Sequence, residues 1–78
     1  MDLAVLGGPA EAFAAYERAV RREYGWVPEP LWIAGRRKVL ESFLGRAAIY
    51  ATPQFRASHE ARARENLAQA LAALVPPI

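Results

Sequence analysis

The sequence of 78 residues has no cysteine, which excludes disulfide staples and thiolate metal sites. It has a single histidine, His59, and only Ser42 and Ser58 as serines, so a metal cluster built on several imidazoles is ruled out. A nucleophilic triad also has few candidate members. No apolar run approaches the roughly 18 residues that cross a bilayer, and no charged start precedes an apolar stretch and a cleavage site. The default expectation is therefore a soluble, non-exported, cytoplasmic protein without membrane contact. Alternating strand patterns, internal repeats and low-complexity linkers are absent as well. Ten basic residues stand against eight acidic ones, a formal charge of +2, too even a balance to define a strongly polarised protein.

What remains is helical. One domain is all that this length allows, and a core of this size yields only a few kcal/mol of net stability. Packing against a partner would add to it. The spacing predicts an all-α fold of three main helices, at about 9–24, 29–44 and 53–74, in a small orthogonal or bundle-like array. Pro9 opens the first helix after Gly7 and Gly8, and Gly25 suits a left-handed cap at its end. Phe13, Tyr16, Val20 and Tyr24 recur at three- and four-residue intervals and give it one apolar stripe. In the second helix Trp32, Ile33, Val39, Leu40, Phe43 and Leu44 form a broad apolar face. Arg36, Arg37, Lys38 and Glu41 occupy the other face, and Gly35 either weakens the helix or admits a neighbouring backbone. Thr52-Pro53 is a start signal for the third helix. Along it Phe55, His59, Ala63, Leu67, Leu71 and Leu74 line up with Asn66 and Ala70, while Arg56, Glu60 and Arg64 face outward. Short helical turns are expected near 2–6 and 46–51.

The chemistry-bearing residues are scattered. Ser58 and His59 are sequence neighbours, and neighbours on a helix point about 100 degrees apart. His59 next to Glu60 lacks a second histidine, so a hydrogen-bonded boundary role outweighs metal ligation. The acids read as solvated helix faces, and Gly7-Gly8-Pro9 reads as a turn rather than a phosphate loop. A basic surface from Arg18, Arg21, Arg22, Arg36, Arg37 and Lys38, with Trp26 and Trp32 for stacking, describes a nucleic-acid or protein-binding module. Interleaved glutamates weaken that field, and the tryptophans suit a core equally well.

Taken in order, several phrases resemble the C-terminal half of predicted metal-dependent phosphohydrolases of the HD superfamily. They are Asp2-Leu3-Ala4-Val5-Leu6-Gly7, Arg21-Arg22-Glu23-Tyr24 with Trp26-Val27, and Gly35-Arg36 with Val39-Leu40 and Phe43-Leu44. Ile49-Tyr50 with Thr52-Pro53, and Ala61-Arg62 through Asn66-Leu67, continue the series to about Leu74. The resemblance implies an all-helical enzyme in which an early histidine, a His-Asp pair and a late aspartate hold a divalent metal that activates water against a phosphate ester. Asp2 matches the late aspartate. The other ligands have no counterpart, and one carboxylate cannot hold a catalytic metal. No catalytic residue and no cofactor are therefore expected for the isolated chain.

Asp2 is expected as a single ligand of an incomplete metal site, with Arg22 and Arg36 as phosphate contacts. The chain then reads as residues 1–78 of one helical unit, a partial domain lacking an N-terminal catalytic half. Three origins fit: a C-terminal piece of a longer protein, a short gene product that kept the helical tail, or half of a split enzyme. In each, the expected behaviour is a non-catalytic unit that self-associates or packs on the complementary half.

Overall fold

A computed structural model describes residues 1–74. Four helices follow one another: α1 (Leu3–Leu6), α2 (Ala10–Glu23), α3 (Glu29–Leu44) and α4 (Pro53–Leu74), and no strand occurs among the described residues. The two longer predicted helices keep their bounds. The first main helix loses a residue at each end, because Pro9 sits outside it as an extended N-cap (φ −58°, ψ 145°) and Tyr24 forms its C-cap. The terminal turn near 2–6 is α1.

Three local expectations are corrected. Residues 46–51 form bends with no helical turn, because side chains of α4 take the backbone groups that such a turn would pair internally. Arg64 donates to the carbonyls of Leu44 (3.0 Å) and Arg46 (2.7 Å), and the Glu60 carboxylate accepts from the N–H groups of Ile49 and Tyr50. Glu60 and Arg64 are also bonded to each other, so this pair is an inward clamp and not a solvated face. Gly25 is not left-handed, since no glycine has positive φ. The Gly25 N–H still donates to the Arg22 carbonyl (3.1 Å), and the Arg21 guanidinium holds the turn that follows α2, donating to the carbonyls of Tyr24 (3.0 Å) and Val27 (3.2 Å).

α4 is the spine. At 1.5 Å per residue its 22 residues extend about 33 Å, and α1, α2 and α3 all pack on it. The core among the described residues is Leu6, Phe13, Leu40, Ile49, Tyr50, Ala63 and Leu67. Three of these leucines, at 6, 40 and 67, are fully buried, each stabilising by roughly 1.5–3 kcal/mol. Tyr50 reaches across to donate from its hydroxyl to the Leu3 carbonyl. That approach needs Gly7, where a Cβ would overlap the Tyr50 hydroxyl and the His59 side chain. At Gly35, by contrast, no atom lies close enough to require glycine.

α2 and α3 meet chiefly through long side chains. Arg36, assigned by its position to the outer face of α3, instead turns inward and grips Glu17 of α2 through both carboxylate oxygens (2.9 and 2.6 Å). Trp32 lies beside this pair, with the Arg21 and Arg36 guanidiniums at 5.1 and 5.8 Å from its ring. Trp26 does not join the core; it is 77% exposed.

Candidate functional site

Asp2 stands at the N-terminus of α1. One carboxylate oxygen accepts from the Ala4 N–H at 3.0 Å, the ordinary work of an N-cap, and the residue is exposed. Arg22 is exposed on α2. Arg36 is committed to Glu17, with 12% and 17% of the two side chains accessible, so a phosphate would have to displace a carboxylate from a bidentate ion pair. No hydrogen bond or ion pair among the described residues joins Asp2 to either arginine, and the three lie on different elements. No group of three or more His, Asp or Glu side chains able to hold a metal occurs among the described residues.

Ser58 and His59 do touch, the Ser58 hydroxyl lying against Nδ1 of His59. The Ser58 hydroxyl also lies 3.0 Å from the Gln54 carbonyl, an i−4 acceptor for its hydrogen. No third side chain is bonded to His59 among the described residues to orient it as a general base. His59 packs against Tyr50 and Phe55, with ring centroids 5.6 and 5.0 Å away, as a boundary residue does. Burial, followed by the nearby Glu60 carboxylate, pushes the Tyr50 hydroxyl above its ordinary value, keeping it a proton donor to Leu3.

The main concavity lies elsewhere, between α2 and α4. It is a cleft of about 480 Å³ with Phe13, Ala14, Ala70 and Ala73 among its walls, Asn66 toward one end, and Arg18, Arg21 and Trp32 toward the other. Its volume lies within the range of small-molecule pockets. It exists because alanines occupy positions where larger side chains would close the gap between the helices. A shallower apolar groove between α2 and α3 is lined by Val20, Tyr24, Leu31 and Val39.

No family model matches the chain, and no curated protein or solved structure matches it either.

Asn66 is the residue whose role the sequence concealed. It is 3% exposed, and both hydrogens of its amide are donated, to the carbonyls of Leu6 (2.9 Å) and Gly8 (3.0 Å). Because both partners are carbonyl oxygens, the amide orientation is fixed. An asparagine inside an apolar helical stripe was the available signal; its partners, about sixty residues earlier, were not visible in any local pattern. The Glu60–Arg64 clamp had a weaker signal, an i,i+4 acid–base pair that reads equally as a surface bridge.

Proposed function

We propose that this chain is a non-catalytic helical unit related to the tail of an HD-type metal-dependent phosphohydrolase, and that it works by packing on a complementary half or on a second copy. The observation that carries the reading is where the resembling phrases fall in the fold. Leu6, Gly7, Leu40, Ile49, Tyr50, Asn66 and Leu67 all belong to those phrases and all are buried, so the likeness resides in the positions that determine the helical arrangement. Asp2, the counterpart of the family's late aspartate, is held by one oxygen at the start of α1 and is exposed, which leaves its carboxylate open to an added partner.

The Arg36–Glu17 pair gives Arg36 a bridging role between α2 and α3, which weighs against it as a phosphate contact. Arg22 retains the phosphate role in this proposal. The basic-module alternative loses support for the same reason, since Arg21 and Arg36 are both engaged in holding the fold.

The test is reconstitution. Purified chain is assayed with manganese and a chromogenic phosphate monoester, alone and with a separately expressed HD-type half carrying the histidine and His-Asp ligands. Activity is expected only for the mixture. Asp2→Asn keeps an oxygen for the Ala4 cap while removing the anionic ligand, and it should lower the reconstituted rate by at least about a hundredfold with an unchanged melting temperature. Activity of the chain alone, or full activity of the asparagine variant, contradicts the proposal.

A further inference from the structure

The α2–α4 cleft carries three features that together describe a ligand. Asn66 uses both amide hydrogens on Leu6 and Gly8, and its Oδ1 has no hydrogen bond among the described residues. No buried side-chain oxygen or nitrogen there lacks a partner, so Oδ1 keeps access to solvent, and the cleft is the concavity that Asn66 lines. A residue that is 3% exposed thus keeps one fixed acceptor at the wall of a cleft whose other polar side chains are the exposed Gln69 on α4 and Glu17, Arg18 and Arg21 on α2. At the opposite end Arg18 is exposed and has no hydrogen bond or ion pair among the described residues. The Glu17 carboxylate beside it is neutralised by Arg36, and the Arg21 guanidinium is committed to the Tyr24 and Val27 carbonyls, so Arg18 supplies the available positive charge at this end of the cleft. Between the two ends the walls are Phe13 and alanine side chains, with the exposed Gln69 at the rim.

We propose that this cleft is a binding site for an elongated amphipathic anion, with a hydrogen-bond donor seated on Asn66, an apolar body along the alanines, and an acidic head at Arg18. The length follows from the helix. The cleft runs beside α2 from Ala10 to Arg21, a rise of about 16 Å, roughly the span of a dozen methylenes. An ω-hydroxylated medium-chain carboxylate satisfies all three features. A plain fatty acid leaves Oδ1 unpaired, and a diol leaves Arg18 without a counter-charge. This site shares Asn66 with the buried positions behind the phosphohydrolase-like reading but uses neither Asp2 nor Arg22, and its test has a separate readout.

Trp32 lines the same cleft and reports on its occupancy. In a Trp26→Phe background, which removes the second and highly exposed indole, the protein is titrated with ω-hydroxydodecanoate below its micellar concentration, and Trp32 emission is followed. A saturable shift is expected, weaker by about threefold or more for dodecanoate and for the α,ω-dodecanediol, each of which lacks one polar contact. Arg18→Gln should abolish the preference for the acid over the diol. Ala70→Trp should block binding while circular dichroism shows the helices intact. No saturable shift, equal binding of acid and diol by the parent protein, or an acid preference that survives Arg18→Gln overturns the proposal.

Discussion

Asn66 concentrates in one side chain a constraint that spans most of the chain. Replacing it with alanine leaves the Leu6 and Gly8 carbonyls without their donor, at a cost of about 1–3 kcal/mol for a buried unsatisfied group. For a domain of this size each kcal/mol lowers the melting temperature by about 4–8 °C. Asn66→Ala should therefore melt at least about 4 °C lower, and Asn66→Asp lower still, because a carboxylate would face two carbonyl oxygens. Thermal circular dichroism checks both, and a melting temperature equal to that of the parent would show that the amide contributes nothing. Asp2 and Arg36 show how far residue type is legible. Asp2 was read as a metal ligand beside a short terminal turn, and its capping bond to Ala4 appears only in the structure; Arg36 was legible as a charged helix residue, but its partner on another helix depends on how α2 and α3 meet. Helical periodicity places charges on a face without saying what approaches that face.

Among the elements, α3 and α4 keep their predicted bounds because local rules set them: proline in the first turn, a threonine oxygen accepting from Phe55, and glycine past the end of α3. The segment from Arg46 to Ala51 escaped because its conformation is imposed from α4. Glu60 makes that imposition pH-dependent. The Ile49 N–H above all, then the Tyr50 N–H and Arg64, hold its carboxyl below the ordinary value, with burial acting in the opposite direction. A carboxyl with a lowered pKa in the folded state contributes stability above its unfolded value, and that contribution is lost as pH falls through the folded value. Glu60→Gln should accordingly reduce stability near neutral pH and flatten the acid limb. In urea unfolding at about pH 7 and about pH 3, the difference between the midpoints should be smaller for the variant than for the parent. An identical difference would mean that Glu60 does not titrate with folding.

At the scale of the whole molecule, α4 carries three helices while α2 and α3 leave an apolar groove between them. Around that groove Leu31 is 66% exposed, Tyr24 44% and Val39 39%, with Trp26 nearby in the α2–α3 turn. A cluster of this kind favours association more than scattered surface apolars do. We expect concentration-dependent self-association by sedimentation velocity at high micromolar protein, and Leu31→Glu should shift the distribution toward monomer without lowering helicity. A strictly monomeric parent would count against this surface as an interface. The all-helical class was legible because the apolar residues recur at helical spacing almost throughout. The arrangement was not, since it rests on a few long-range side-chain bonds and on alanines that leave a cleft instead of filling it.

The closure of α1 has a consequence for the order of assembly. Its first turn is fastened by Tyr50 and Asn66, one from the α3–α4 linker and one from the middle of α4. Joining residue 6 to residue 66 directly is entropically more demanding than forming any one helix, and the α3–α4 hairpin is far more local. We expect the hairpin to form first and α1 to settle on it last. The position of α1 is thus set by contacts that α4 and its preceding linker supply, and the exposed Asp2 carboxylate takes its place only when those contacts have formed.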